Sequence, residues 1–173
     1  MATRAHHTTW QQTVAKLTAL IAMLIGQSSM AATTTGTLNV SATVTDYCEL
    51  GATTVSLNLG SYTPAADSTQ NTVIQVRCTL GTTYNVGLGL GTYASGSTRR
   101  LRHATDNTVY MNYELYQSDG TTVWQAPGQA GVVSSTGTGA SQNLTVVGKI
   151  PSAQWGVKQG SYSDSVVITV TFP

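Results

Sequence analysis

Two alternating stretches set the fold class of this 173-residue chain: Leu38-Asn39-Val40-Ser41-Ala42-Thr43-Val44 near its start and Val166-Val167-Ile168-Thr169-Val170-Thr171-Phe172 at its end. In each stretch apolar side chains alternate largely with hydroxyl or amide side chains, which is the period of a strand with one buried face. Such strands can close a sheet within one domain, or one of them can be given to a neighbouring molecule.

The first 31 residues have the pattern of a secretory signal peptide. Arg4 and Lys16 precede an apolar run at 17–25, and Ser29-Met30-Ala31 fits the small-x-small rule for cleavage after its last residue. The alternative is a membrane anchor, but the run is about half of the roughly 20 residues that span a bilayer. No later segment is a candidate for a transmembrane helix. The sequence therefore predicts a signal peptide at 1–31 and export of the rest.

The mature chain would have 173 − 31 = 142 residues, which suits one domain with its own core. Without Arg4 and Lys16, 8 − 2 = 6 basic residues face 7 acidic ones. This near-neutral balance argues against electrostatic capture of nucleic acid or of an anionic membrane. A surface rich in Thr, Ser and Gly suits a protein that packs against copies of itself.

Two cysteines, Cys48 and Cys78, remain after the predicted cleavage. An even number in an exported chain predicts one disulfide, and closing a 30-residue loop would contribute about 3–4 kcal/mol. The alternative is a thiol or metal pair, for which the chain offers neither a second cysteine pair nor clustered histidines.

Short alternating runs between glycine-rich turns predict an all-β sandwich, and no stretch after residue 32 has a helical period. The predicted strands lie at 54–59, 72–80, 84–90, 110–117, 121–124, 144–150 and 166–172. We expect a small-residue loop at 134–141. Trp124 and Trp155 are expected in the core or at strand edges, and Tyr162 is expected to tie a turn to the last strand.

No pattern in the chain predicts catalysis, a cofactor or a metal. The run 87–91, Gly-Leu-Gly-Leu-Gly, is not followed by a helix, so it does not form a dinucleotide loop. Arg99, Arg100, Arg102 and His103 form one basic cluster, which is either a polyanion or glycan contact or, as we favour, a solvated loop with an exposed histidine. No nucleophile elbow accompanies it. The chain is therefore predicted not to be an enzyme.

Several passages carry a resemblance to a known family. They are Gly36–Val44 with Cys48 soon after, Ile74–Cys78, Tyr110–Tyr116, Leu144–Pro151 and the ending Gly160–Phe172. Together they cover nearly the whole mature chain, and it resembles the spore coat protein U family, which includes subunits of archaic chaperone–usher pili.

The resemblance implies an incomplete immunoglobulin-like β-sandwich that is completed by donor-strand exchange. Residues 47–173 would form the domain and residues 32–46 the N-terminal donor strand. A periplasmic chaperone would first fill the open groove, and the donor strand of the next copy or of a related pilin would replace it at an outer-membrane usher. The donor side chains would be Leu38, Val40, Ala42 and Val44. The groove and chaperone contacts would be Val166, Ile168, Val170 and Phe172.

The leading hypothesis is a structural subunit of a fibre, secreted through the periplasm to the cell surface, that supports adhesion and biofilm formation. The alternative is a spore or cell-surface coat protein of the same fold. A sugar-binding module or tip adhesin is a third hypothesis, but a tip adhesin normally needs a further receptor domain.

Overall fold

The computed structural model describes residues 30–173. The predicted signal peptide lies outside the described residues except for its last two positions. Within residues 30–173 no helix is long and apolar enough to cross a membrane. The strands are β1 (Cys48–Leu50), β2 (Ser68–Cys78), β3 (Thr83–Leu88), β4 (Arg99–His103), β5 (Tyr110–Tyr116), β6 (Val133–Thr136), β7 (Ser141–Ile150), β8 (Tyr162–Ser163) and β9 (Ile168–Thr171).

The strands form two antiparallel sheets. The larger has the order β1-β2-β7-β5-β4-β8, and the smaller has the order β6-β3-β9. The longest pairing joins β2 to β7, from Ser68 opposite Ile150 to Arg77 opposite Ser141. The predicted all-β sandwich is therefore confirmed, with the last strand at an edge of the smaller sheet.

One hydrophobic core lies between the two sheets. Alternate side chains of β2, β5 and β7 face it from the larger sheet, and side chains of β3 face it from the smaller sheet. The buried members are Leu59, Ile74, Val76, Cys78, Tyr84, Val86, Leu88, Met111, Tyr113, Leu115, Trp124, Val146 and Ile150. Because the buried positions alternate along each strand, a period of two in the sequence was sufficient to predict them.

The predicted disulfide is present between Cys48 and Cys78. These residues are directly opposite each other in the pairing of β1 with β2, with their Cα atoms 4.1 Å apart. The bond therefore attaches the short edge strand β1 to the longest strand pair of the domain.

Two predicted strands have no strand partner within residues 30–173. Residues 38–44 and residues 54–59 belong to no sheet, although both alternate in sequence. The strand predicted at 121–124 forms only an isolated bridge, between Val123 and Tyr116. Conversely, the loop predicted at 134–141 begins with β6, which pairs with β3. Alternation predicts that a segment can pair, whereas pairing also needs a free partner edge.

The basic cluster was predicted wrongly as a solvated loop. It forms β4, which pairs with β5 and, over its last two residues, with β8. Arg99 is only 1% exposed and His103 only 4% exposed. The His103 Nδ1 atom accepts from the backbone N–H groups of Thr105 and Asp106, at 3.2 and 3.0 Å, so this histidine serves to hold the turn after β4.

The predictions for the aromatic side chains are confirmed in part. Trp124 is buried and its Nε1 donates to the Val86 carbonyl oxygen at 2.7 Å. Trp155, by contrast, is 77% exposed and lies outside the core and the strands. The Tyr162 hydroxyl donates to the Lys158 carbonyl oxygen at 2.7 Å and accepts from the Lys158 N–H at 2.8 Å, so this tyrosine does tie the turn before β8.

Candidate functional site

A groove of about 670 Å³ opens between the edges of the two sheets. The end of β1 and the segment after it, residues 50–59, form one wall, and residues 164–168, which include the first residue of β9, form the other. The floor consists of core side chains from both sheets, namely Leu88, Tyr113, Leu115, Ile74 and Val146. These floor side chains are at most 5% exposed, so the groove lies directly against the hydrophobic core.

The first wall is an extended segment without a strand partner. Val55, Leu57 and Leu59 point toward the core, while the residues between them are exposed. Among the described residues, the backbone of 52–58 has no hydrogen-bonded strand partner. Unpaired N–H and C=O groups beside an apolar surface are a template for one additional strand.

The second wall offers a similar edge. Strand β9 pairs with β3 on one side only and is the last strand of its sheet. Just before it, the Val167 carbonyl oxygen accepts from the Gly89 N–H at 2.9 Å, so this segment is also attached to the β3 side. The opposite edge of β9, whose first residue Ile168 lines the groove, has no strand partner among residues 30–173.

A glycine on β7 makes room for the first wall. A Cβ atom added at Gly148 would lie 2.5 Å from Leu57 Cδ2 and 2.7 Å from Leu59 Cδ2. Any larger residue there would displace both leucines, because these distances are shorter than a van der Waals contact. The absence of a side chain at Gly148 therefore allows the first wall to pack closely against the larger sheet.

One end of the groove is fixed by Asp164. Its Oδ2 accepts from the Tyr113 hydroxyl at 2.7 Å and its Oδ1 accepts from the Thr92 N–H at 2.8 Å. Burial, with the adjacent Asp164 carboxylate, raises the pKa of Tyr113 above its ordinary value. Gly91 has φ +89° and an added Cβ would overlap Asp164 Oδ2, so only glycine fits beside this carboxylate.

Two of the four predicted groove residues line the groove itself. Val166 and Ile168 belong to its second wall. Val170 and Phe172 pack against the same core farther along the chain but do not border this opening. All four are only half-buried, as expected for side chains at an open edge of the core.

The predicted donor residues are solvent-exposed. Leu38 and Val40 are 86% and 84% exposed, and Ala42 and Val44 are exposed as well. No strand is formed by residues 30–47. An alternating apolar segment that buries none of its large side chains is uncommon in a folded protein and is typical of an interaction surface.

The groove has no features of a catalytic or metal centre. Its rim carries hydroxyl side chains and a single carboxylate, Asp164, which is already bonded to Tyr113. No group of three or more His, Cys, Asp or Glu side chains that could hold a metal occurs within residues 30–173. The arrangement can bind an extended apolar segment, and it offers that segment two strand edges.

Comparison with known proteins identifies the family. A family model described as the Spore Coat Protein U domain matches residues 34–169. The chain belongs to this family. Protein U of Myxococcus xanthus is 35% identical over 175 residues, which is 92% of this chain and 96% of that protein. The resemblance inferred from the sequence is thereby confirmed.

Solved structures support the fold of this Spore Coat Protein U domain. A chain of the CsuC–CsuE chaperone–tip adhesion subunit pre-assembly complex, from archaic chaperone–usher Csu pili of Acinetobacter baumannii, is matched at TM-score 0.58 and 22% identity. The match covers 75% of this chain and 41% of that one. The P pilus rod subunit PapA is matched at TM-score 0.54 and 14% identity, over 73% of this chain and 99% of its own length. The chain thus has the immunoglobulin-like fold of pilin subunits.

The sequence did not assign the first wall or the floor of the groove. Residues 54–59 were predicted as an ordinary strand, and their alternation carried no sign that one edge would stay open. Gly148 lies inside the alternating strand β7, and a glycine in a strand interior was a usable signal for a close approach of another segment. The floor residues are indistinguishable in sequence from other core residues.

Proposed function

We propose that this protein is a structural subunit of a surface fibre assembled by donor-strand complementation. In each copy the groove takes up a strand from another molecule, and the N-terminal segment, residues 32–46, enters the groove of a neighbour. The observation that carries the proposal is the open groove, where an apolar floor lies between two unpaired strand edges.

The same chain offers a segment of matching chemistry. Leu38, Val40, Ala42 and Val44 form one apolar face whose side chains are exposed in the single molecule. Burying three large side chains and one small one would contribute up to about 5–9 kcal/mol, before any backbone hydrogen bonds. This is comparable with the whole stability of a small domain, so an occupied groove would be strongly preferred to an empty one.

Assembly requires partners that protect the groove before the fibre forms. We propose a periplasmic chaperone as the first occupant, with an outer-membrane usher as the place where the next subunit replaces it. Copies of this chain or related subunits would be the final occupants. The N-terminal region, residues 1–31, would direct export as a signal peptide, and the assembled protein would lie at the cell surface, where it supports adhesion and biofilm formation. In this role the protein is structural and carries out no catalysis.

A coat protein of the same fold is the second candidate. The 35% identity with Protein U and the description of the family as a spore coat domain favour it. Donor-strand complementation could build a coat layer instead of an extended fibre. Electron microscopy of the producing cells distinguishes these outcomes, because a fibre extends from the surface and a coat does not.

Cross-linking between copies tests the proposal. A donor strand in the groove would place Ser41, which lies on its hydroxyl face, beside the exposed positions of the first wall. Directly opposite residues of neighbouring antiparallel strands have Cα atoms about 4.5–5.5 Å apart, which lies within the range that a disulfide spans. Ser41→Cys is therefore combined in turn with Thr54→Cys, Ser56→Cys and Asn58→Cys, so that each possible register is sampled.

We expect one of these pairs to give a ladder of covalent multimers on non-reducing gels that collapses on reduction. The matched control combines Ser41→Cys with Leu80→Cys, which is exposed but does not line the groove, and should give no ladder. A cross-link confined to single molecules would show that the strand closes its own domain. Absence of any cross-link from all three wall positions would also contradict the proposal.

A further inference from the structure

A second, separate cluster of side chains lies on the outer face of the larger sheet. We call it the Arg–Tyr cluster, and its members are Tyr93, Arg100, Arg102 and Tyr110. The Arg100 guanidinium carbon lies 4.2 Å from the centre of the Tyr110 ring, and that of Arg102 lies 4.1 Å from the centre of the Tyr93 ring. The two rings are 6.4 Å apart, so the four side chains form one continuous group.

The geometry holds the two guanidinium groups in place before anything binds. Arg100 Nε donates to the Tyr93 carbonyl oxygen at 2.9 Å, and stacking on a ring orients each guanidinium plane. Both arginines come from β4, where residues two apart share a face and lie about 7 Å apart along the strand. Their orientation is thus set by a sheet and two aromatic rings instead of by a mobile loop.

Neither guanidinium forms an ion pair within the described part of the chain. The ion pairs within residues 30–173 join Arg99 to Glu114, Lys149 to Asp67 and Lys158 to Asp106. No carboxylate pairs with Arg100 or Arg102 in that part of the chain. Two oriented guanidinium groups with free in-plane donors are suited to bidentate binding of carboxylate or sulfate groups.

We propose that the Arg–Tyr cluster binds an acidic polysaccharide, with Arg100 and Arg102 each taking a carboxylate of the polymer. A uronic acid polymer carries one carboxylate per sugar, which gives a sparse and regular row of anions. In an assembled fibre or coat the cluster would recur once per subunit, so weak contacts would add up along one polymer chain.

Other partners fit the cluster less well. Nucleic acid binding needs a broad positive surface and free aromatic faces, whereas here the charge is near neutral overall and guanidinium groups already cover the rings. A second copy of this chain has few free carboxylates to offer. Asp119 accepts from its own turn, Asp164 from Thr92 and Tyr113, and Asp46 from Thr82. Only Glu49 and the C-terminal carboxylate are left for two arginines.

The test measures retention of the full secreted protein, in the assembled form in which it is isolated, on immobilised polygalacturonate. The same polymer with its carboxylates methyl-esterified is the matched ligand control, and dextran sulfate and single-stranded DNA are the other probes. Arg100→Gln and Arg102→Gln are the site variants. Arg77→Gln is the control variant, because Arg77 is also an arginine without a carboxylate partner but lies on β2 away from any stacked tyrosine.

We expect the protein to bind polygalacturonate, to release it as salt is raised and to ignore the methyl ester. Each site variant should bind about tenfold more weakly, and the control variant should bind as the natural protein does. Arg102→Lys keeps the charge but loses the planar guanidinium group. Its affinity for polygalacturonate should therefore lie between that of the natural protein and that of Arg102→Gln. Should a Gln variant fail to fold, the charge-conserving Arg102→Lys still assigns the binding to the cluster, and the comparison of acid with ester still shows that carboxylates are the bound groups.

Equal binding of acid and ester, or equal loss in the Arg77 variant, would overturn the proposal. So would tighter binding of DNA than of polygalacturonate, or no binding to any of the carboxylated material. Binding of dextran sulfate alone would assign the cluster to sulfate groups and overturn its assignment to carboxylates. Since donor-strand assembly is scored by cross-linking, failure of this proposal leaves the proposed function untouched.

Discussion

Replacing Val40 with aspartate tests whether the N-terminal segment serves its own molecule or a neighbour. The side chain is 84% exposed in the single molecule, so the change should alter the stability of the isolated domain by less than about 0.5 kcal/mol. If the segment lies in a neighbour's groove, the substitution would remove the burial of the valine side chain, which is worth about 1.5–3 kcal/mol. It would also force a carboxylate against apolar side chains. A combined loss of at least about 4 kcal/mol corresponds to about a thousandfold weaker donation.

The assay compares soluble subunit in the periplasm with surface fibres from the same cells. We expect Val40→Asp to retain the soluble subunit and to lose the fibres. Ser41→Asp is the matched control, because the same charge is placed on the hydroxyl face that would point out of the groove, and fibres should persist. Fibres at normal levels in Val40→Asp, or loss of the soluble subunit as well, would refute donation.

Three further outcomes follow from the domain itself. Deleting residues 170–173 should abolish accumulation of the protein on immunoblots, because β9 would lose half of its pairing with β3, and normal levels would contradict this. Replacing Cys48 and Cys78 together with serine should lower the free energy of unfolding by about 3–4 kcal/mol in urea titrations, and an unchanged midpoint would count against it. Asp67, bonded to Lys149, has its pKa lowered from 3.8 to about 2, so its stabilising effect is present above pH 4 and disappears as the pH falls toward 2. Between pH 4 and pH 2 the melting temperature of Asp67→Asn should therefore fall less than that of the natural protein. An equal fall in both proteins would exclude the Asp67 carboxylate as a cause of the loss of stability at low pH.

Much of the sandwich was predictable because burial in a strand follows a local rule. In β2 the side chains of Ile74, Val76 and Cys78 are buried and those between them are exposed, as the alternation predicts. The disulfide was predictable from an even number of cysteines in an exported chain. Both inferences depend only on neighbouring residues or on counting, and not on which strands meet in space.

The groove and β4 were not predictable in that way. Residues 52–58 look like any other half-buried strand, and only the absence of a partner edge in the folded domain makes them a wall. In β4 the sequence is nearly all basic, and its place in the sheet depends on distant groups that receive the buried guanidinium of Arg99. Pairing and long-range hydrogen bonding are decided by the tertiary structure, which local propensity does not encode.

Arg99 also explains how the groove can stay open without an occupant. Its Nη2 donates to the carbonyl oxygens of Leu88 and Trp124 at 2.7 and 2.8 Å, its Nε donates to that of Gly89 at 3.0 Å, and its Nη1 pairs with Glu114. These bonds join the end of β3, whose Leu88 belongs to the groove floor, to β5 in the other sheet. Closing the space between the two sheets would break the bonds of this buried charge, at a cost of about 3–5 kcal/mol. The buried arginine thus helps to fix the spacing of the two sheets beside the groove, and under the proposed function less ordering would remain to be done when a donor strand binds.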